Sequence, residues 1–153
     1  MIMKHILFYS VLILSLTACK TYSDDEKINF NQEVLKIARK KDPKVRQSSS
    51  GLCVIQLEPG TGEEIIQRGS KLKIAYKGTL KNGKVFDQTE PDIPFEANLT
   101  GLIGGFQEGL LGQKKGAKLI LIVPPHLGYG DEKTGEIPGN SILIFELEVV
   151  DFI

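Results

Sequence analysis

Tryptophan is absent from this 153-residue chain, and cysteine and histidine each occur only twice. Two cysteines are too few for a disulfide-rich scaffold. His5 and His126 lie far apart in the chain, which leaves a zinc site or a Ser-His-Asp set without support. The chain also lacks an excess of one charge, because 19 basic side chains balance 19 acidic ones. Its net charge therefore gives no electrostatic reason to expect binding of nucleic acid. We therefore predict no metal, no cofactor and no nucleic-acid partner.

Glycine is missing from the first fifty residues, since all 16 glycines lie at or after Gly51. Glycine and proline together account for 23 residues, slightly more than average, which is typical of a domain with many turns. The uneven distribution divides the chain into a glycine-free part and a turn-rich part. We expect the folded domain to occupy residues 51–153.

No hydrophobic run has the ~20 residues that a membrane-spanning helix needs. The apolar run from Ile6 to Leu16 instead has the length of a signal-peptide core. It ends in Leu16-Thr17-Ala18-Cys19, which resembles the lipobox of bacterial lipoproteins, where the cysteine receives lipid after cleavage. The resemblance implies a signal peptide at 1–18, lipid on Cys19 and a membrane-anchored protein of the bacterial envelope, facing the periplasm or the cell surface. An ordinary secretory signal is the alternative.

Cys53 is left without a disulfide partner if Cys19 carries lipid. It lies in the strand-like run 52–57, with no catalytic residues grouped around it in the sequence. We predict a small buried hydrophobic side chain, ahead of a reactive thiol.

Residues 19–50 are expected to form an arm outside the domain. The acidic cluster 23–26 is interpreted as a solvated linker, with an acidic tether as the alternative. A short helix is expected within 28–41, capped at Asn29 or Asn31 and ended before Pro43.

The arm is basic, because seven basic and two acidic residues between 27 and 46 give a local charge of +5. Two roles fit this charge: a polar helix face that packs loosely on the domain, or a surface for anionic lipid headgroups. We expect Ser48-Ser49-Ser50-Gly51 to be a flexible joint between arm and domain.

The domain reads as short strands separated by turns. Alternation of polar and apolar residues is clearest in 70–80 and 141–153, and Asn82-Gly83 is a strong hairpin signal. Further strands are predicted at 52–58, 85–87 and 117–123. One short hydrophobic helix is indicated by the spacing of Leu102, Ile103, Phe106, Leu110 and Leu111. The prediction is an α+β fold, a twisted antiparallel sheet wrapped around one short helix.

The seven aromatic residues of 51–153 stand in recognisable sequence settings, although packing in a core is the simpler explanation of their number. In chain order these settings are Val85-Phe86-Asp87, Ile93-Pro94-Phe95, Gly104-Gly105-Phe106-Gln107-Glu108-Gly109-Leu110, Pro124-Pro125-His126-Leu127-Gly128-Tyr129-Gly130 and Ile137-Pro138-Gly139-Asn140-Ser141. Together they resemble the FKBP-type peptidyl-prolyl cis-trans isomerases over the whole of residues 50–153.

The resemblance implies a shallow apolar pocket that accelerates rotation about X-Pro bonds without covalent chemistry. The side chains implied as catalytic are Tyr76, Phe86, Asp87 and Tyr129. Those implied as substrate-binding are Phe95, Leu102, Ile103, Phe106, Ile137 and Phe145. A hydrogen-bonded aspartate at a strand end is the alternative interpretation of Asp87.

The implied partners are proline-containing polypeptides and, as ligands, compounds of the macrolide immunosuppressant type. The arm is too short for the helical dimerisation modules of some periplasmic relatives, so a monomer is expected. Two departures stand out: Phe106 replaces the tryptophan common at the pocket floor, and loop 88–94 lacks the arginine that commonly pairs with the aspartate. They sustain a second hypothesis, a lipoprotein that binds proline-containing segments for an envelope or motility complex with little or no catalysis.

Overall fold

The computed structural model describes residues 21–153, so the predicted signal peptide (1–18) and lipid site (Cys19) lie outside the described residues. Short 3-10 turns at Leu99–Gly101 and Pro125–Leu127 complete the secondary structure. None of the helices within 21–153 is long and apolar enough to cross a membrane. The helices and strands, in chain order, are α1 (Asp24–Lys41), β1 (Cys53–Thr61), β2 (Lys71–Leu80), β3 (Val85–Gln88), β4 (Phe95–Asn98), α2 (Gly104–Leu110), β5 (Lys115–Val123) and β6 (Leu143–Phe152).

The strands form one antiparallel sheet in the order β1-β5-β6-β2-β3, and β4 also pairs with β2. Alternation along β2 is as predicted, because Leu72, Ile74 and Tyr76 are buried while their lysine neighbours are exposed. The predicted α+β fold, an antiparallel sheet with a short enclosed helix, is confirmed.

Helix α2 lies against the inner face of the sheet at very short range. A Cβ on Gly105 would lie 2.6 Å from Val123 Cγ1, and a Cβ on Gly109 would lie 2.6 Å from Leu121 Cδ2. Two glycines on one helix face therefore allow the helix to approach β5 closely. The helix is shorter than its apolar spacing predicts, since it begins after Ile103 and leaves Leu111 45% exposed.

The outer face of the sheet is covered by α1, so the expectation of a loosely packed arm was wrong. Val34 and Ala38 are fully buried against side chains of β1, β5 and β6. The residues of this second core are Val34, Ala38, Val45, Cys53, Ile55, Ile120, Ile122, Ile142 and Ile144. The alternation of β5 and β6 supplies both cores, because neighbouring residues along a strand face opposite sides of the sheet.

Cys53 belongs to that second core and is fully buried, as predicted. Burial raises the pKa of its thiol to about 11, because a thiolate would lose its hydration there. We therefore expect the thiol to react slowly in the folded chain.

Helix α1 begins earlier than predicted. Ser23 is its N-cap: the Ser23 hydroxyl accepts from the Glu26 N–H at 3.2 Å, and the Glu26 carboxylate accepts from the Ser23 N–H at 2.9 Å. The cluster 23–26 is therefore the capped first turn of a helix, where acidic side chains are stabilised by the helix dipole. A linker at 23–26 and a cap at Asn29 or Asn31 were wrong predictions.

The segment 48–51 is an ordered turn and not the flexible joint that we expected. The Ser48 N–H donates to the Leu52 carbonyl at 2.9 Å, and the Ser50 hydroxyl donates to Glu108 at 2.7 Å. Gly51 has a φ of 96°, which favours glycine. Serine-rich composition indicated flexibility, but these hydrogen bonds fix the connection between α1 and β1.

Candidate active site

Five aromatic rings meet on the inner face of the sheet, and each contact is edge-to-face. The Phe106 and Phe145 centroids are 4.6 Å apart, and those of Phe86 and Phe145 are 5.5 Å apart. Tyr76 lies 6.1–6.2 Å from Phe95, Phe106 and Phe145. Each of the five residues is at most 6% exposed, so the cluster is an almost dry aromatic surface.

Gly78 makes room for this cluster in the middle of β2. Its register partners are Asp87 on β3 and Phe145 on β6. A Cβ at this position would lie 2.6 Å from Phe86 Cζ and 2.9 Å from Phe145 Cε1. Any other residue would push the two rings apart, so Gly78 shapes the site without contributing a side chain. The sequence signal was a glycine inside an alternating strand, which indicates close approach of a neighbour.

The start of α2 supplies the next part of the site. Leu102 and Ile103 are fully buried, and the Ile103 carbonyl accepts from the N–H groups of Phe106 and Gln107. Ile103 is the N-cap residue, in the region where backbone N–H groups have no acceptor within the helix. Phe106 follows on the buried face and stands at the centre of the aromatic cluster.

Asp87 is 2% exposed and is the one buried charged residue in 21–153. The Tyr76 hydroxyl donates to its carboxylate at 2.5 Å. Burial raises the pKa of Asp87, while the hydrogen bonds from Tyr76 and from the Gln88 backbone oppose that shift. None of the ion pairs found in the described part of the chain involves Asp87. The missing arginine is therefore not replaced by another cation in direct contact.

Tyr129 presents a buried hydroxyl that has no hydrogen-bond partner among the described residues. Burial and the negative charge of Asp87 both raise the pKa of Tyr129, so the phenol stays protonated. A buried donor without an acceptor is costly, and such a group is well suited to donate to a bound carbonyl. Its loop is held in place by the hydrogen bond from the Gly130 N–H to the Pro125 carbonyl at 3.0 Å.

Ile137 closes the site from the loop between β5 and β6. Its N–H and carbonyl both pair with the backbone of Thr134 at 2.9 Å, and its side chain is 1% exposed. Glu136 forms a 3.2 Å ion pair with Lys84, which links this loop to the hairpin before Phe86. Both charged side chains are more than half exposed, so the pair contributes little to stability.

The structure thus brings the ten residues implied by the resemblance into one region. Eight are buried in the main core cluster: Tyr76, Phe86, Phe95, Leu102, Ile103, Phe106, Ile137 and Phe145. Tyr129 packs against that cluster, and Asp87 joins it through Tyr76. The described residues contain no group of three or more side chains suited to a metal. The arrangement is a buried aromatic cluster with one hydroxyl donor that has no partner among the described residues and one buried carboxylate.

Comparison with known proteins gives matches to one family. The model of the family described as FKBP-type peptidyl-prolyl cis-trans isomerase matches residues 62–150. FkpA of Buchnera aphidicola subsp. Schizaphis graminum is 42% identical over 132 residues, covering 85% of this chain and 52% of that protein. FkpA of Escherichia coli K12 is 40% identical over 112 residues, covering 72% of this chain and 41% of its own length. The chain spans about half the length of the first curated relatives that it matches.

Solved structures share the fold. The crystal structure of FkpA from Escherichia coli superposes with a TM-score of 0.73 at 37% identity, covering 84% of this chain and 59% of that one. The crystal structure of AtFKBP13 gives a TM-score of 0.63 at 31% identity, covering 71% of this chain and 98% of that one.

Proposed function

The chain belongs to the FKBP-type peptidyl-prolyl cis-trans isomerase family, and we propose that it accelerates rotation about X-Pro bonds in polypeptides outside the cytoplasm. The observation that carries the proposal is the enclosed cluster of Tyr76, Phe86, Phe95, Phe106 and Phe145, bordered by the free hydroxyl of Tyr129. Proline-containing segments are the substrates, and the chain acts as a monomer without a cofactor.

The chemistry needs an apolar site and no nucleophile. Rotation about a peptide bond meets a barrier of ~20 kcal/mol, because resonance gives the C–N bond partial double-bond character. At the twisted transition state this resonance is lost, so the amide is less dipolar than in its planar ground state. A water-poor aromatic enclosure disfavours the planar, dipolar amide relative to the twisted one, which lowers the barrier.

Each group of the site has a role in this mechanism. In the proposed mechanism the proline ring packs against the aromatic cluster, in which Phe106 and Phe86 both contact Phe145. The Tyr129 hydroxyl donates to a substrate carbonyl, and the Ile103 N–H holds the flanking backbone. Asp87 does not act as a general base. It orients Tyr76 by accepting a hydrogen bond from the Tyr76 hydroxyl.

A protease-coupled isomerisation assay on short X-Pro peptides tests the activity. We expect Phe86→Ala to lower kcat/KM at least about tenfold, which corresponds to ~1.4 kcal/mol of transition-state stabilisation. Tyr129→Phe should lower it about threefold to tenfold, the value of one hydrogen bond. Val85→Ala is the matched control, since Val85 is a partly exposed neighbour of Phe86.

Circular dichroism of every variant separates a lost site from a lost fold. If both site variants are folded and as active as the wild type, the site assignment is wrong. If the folded wild-type chain does not accelerate isomerisation at all, the enzymatic proposal is wrong. A macrolide immunosuppressant that inhibits the reaction would further support a site of the proposed kind.

We also propose that the chain is a lipoprotein of the bacterial envelope, with lipid on Cys19 after removal of residues 1–18. The support is the hydrophobic run and the lipobox-like 16–19. Cys19→Ala should release the protein from the membrane fraction, whereas Cys53→Ala, at a buried position, should not. Unchanged membrane retention of Cys19→Ala would refute the anchor.

A second candidate function is the binding of proline-containing segments for an envelope or motility complex, without turnover. Phe106 in place of tryptophan, and the lack of a cation paired with Asp87 within residues 21–153, favour it. Binding of X-Pro peptides together with a rate indistinguishable from the uncatalysed reaction would establish this function in place of the first.

A further inference from the structure

The chain between the proposed lipid site and the folded domain is very short. Tyr22, only three residues after Cys19, is 4% exposed. Its hydroxyl donates to Asn140 Oδ1 at 2.8 Å, and its ring meets Phe30 and His126 edge-on at 5.7 and 6.2 Å. Three residues of fully extended chain reach at most about 11 Å.

Helix α1 also holds Tyr22 close to the domain. It begins at Asp24, two residues after Tyr22, and its Val34 and Ala38 are fully buried against the sheet. If residues 19–50 were a flexible coil, their ends would lie about 30 Å apart on average and could separate much further. Because the arm is instead packed from Tyr22 onward, the domain cannot move away from its anchor along a tether.

Tyr22 packs against the loop between β5 and β6, which supplies Tyr129 and Ile137 to the candidate site. Its partner Asn140 donates through its own N–H to the Gly130 carbonyl at 2.8 Å, and Gly130 directly follows Tyr129. His126 lies three residues before Tyr129, and Ile137 lies three residues before Asn140. The side of the domain that is nearest the anchor is therefore the side that holds Tyr129 and Ile137.

From this arrangement we infer that the anchored chain acts on X-Pro bonds in polypeptide segments held close to the same membrane, in preference to distant or freely diffusing segments. The inference rests on the proposed isomerase activity and the proposed lipid anchor. A compact domain of this length has a radius of about 18 Å, so about 11 Å of chain places the site within about 30 Å of the bilayer. Substrates confined to that layer meet the site at a high effective concentration.

The test uses the lipidated full chain in phospholipid vesicles with two lipid-attached X-Pro peptides. One carries its proline directly after the attachment point, and the other carries it beyond a helical spacer of about 60 Å, built at ~1.5 Å per residue. We expect at least tenfold faster isomerisation of the near proline than of the far one. A flexible Gly/Ser insertion of thirty residues after Lys20 should reduce the difference to twofold or less.

The same insertion after Glu63, in an exposed turn, is the matched control and should keep the tenfold preference. Equal rates for near and far prolines with the unmodified chain would overturn the inference. A freely diffusing X-Pro peptide and vesicle sedimentation, measured in parallel, identify the cause of a failure. Without acceleration of the free peptide, or without retention on vesicles, the proposed function itself fails and the inference with it.

Discussion

Among single residues, Asp87 carries the most unusual chemistry of this chain. It is a carboxylate held at 2% exposure, with a tyrosine hydroxyl and a backbone N–H as its hydrogen-bond donors and no cation in an ion pair with it among the described residues. Two neutral donors compensate only part of the cost of burying a charge. The contribution of Asp87 to the free energy of unfolding should therefore depend on pH. Whether it grows or shrinks with pH follows from the direction of the pKa shift.

Burial raises the pKa of Asp87 in the folded chain, so the folded state binds this proton more tightly than the unfolded state does. The resulting stabilisation is present at low pH and is lost as the pH rises through the folded-state pKa. Asp87→Asn cannot titrate. We therefore expect the free energy of unfolding of the wild type, relative to Asp87→Asn, to increase as the pH is lowered from about 7 toward the unfolded value of ~3.9.

Urea unfolding of both proteins at a series of pH values measures this difference. For Glu96→Gln we expect a pH dependence of the stability difference with the opposite sign, because Lys73 and Lys71 lower the pKa of Glu96. Its stabilisation is present above the unfolded pKa and is lost as the pH falls. A difference for Asp87→Asn that stays constant, or that shrinks at low pH, would contradict the prediction.

The sequence motifs point to the polar residues of the candidate site as well as to its phenylalanines, but they do not predict how the polar groups are hydrogen-bonded. Phe86, Phe95 and Phe106 stand in local motifs that a single chain reveals. The hydrogen bond between Tyr76 and Asp87 and the unpaired hydroxyl of Tyr129 depend on distances between separate elements. Sequence spacing does not encode those distances.

Among the elements, α1 contributes more than its polar sequence suggests. Only a few residues of α1 pack against the sheet, and two of them, Val34 and Ala38, are fully buried. Because most of the stability of a helix in a protein comes from the packing of one face, we attribute the stability of α1 to this packing and to its capping box.

Val34→Ala should lower the free energy of unfolding by about 2 kcal/mol, through lost burial and the cavity that remains. Isomerase activity should be unchanged under conditions where the variant is folded, because Val34 lies on the opposite face of the sheet from the aromatic cluster. Chemical denaturation measures the effect. Lys36→Ala, on the exposed side of the same helix, is the control and should change stability little; equal losses for both variants would contradict the packing described.

Elements with a strong repeating pattern were predicted well. β2 alternates over its ten residues and β6 alternates between Phe145 and Val149, and both strands lie where the pattern placed them. β4 was missed because four residues after a proline are too few for a pattern. β1 continues through Pro59, where a turn was expected. It is an edge strand with a bulge between Gln56 and Glu58, and an edge tolerates a proline.

At the scale of the whole molecule, the sheet has a hydrophobic core on each face, and the arm and the domain carry net charges of opposite sign. The arm, with its +5 over residues 27–46, covers one face, while residues 51–153 carry ten basic and fourteen acidic side chains, a net charge of −4. The zero net charge of the chain is therefore an average over parts that are packed together.

Removal of residues 1–41 should expose the second core. Isoleucines 55, 120, 122 and 144 would lose their cover, and so would the thiol of Cys53. We expect the fragment 42–153 to react with a thiol reagent at mildly alkaline pH many times faster than 21–153, in which burial raises the Cys53 pKa to about 11. Both proteins should react equally fast in concentrated urea. Equal protection in the two native proteins would mean that α1 does not shield the sheet.

The ring of Phe106, enclosed between Tyr76 and Phe145, also offers a spectroscopic opportunity. The chain contains no indole, so tyrosine dominates its ultraviolet emission. Phe106→Trp would place the chain's single indole within the aromatic cluster, at the cost of some overpacking. Its emission wavelength would show how well the aromatic cluster excludes water. A change in its emission intensity during a titration with X-Pro peptide would measure binding directly.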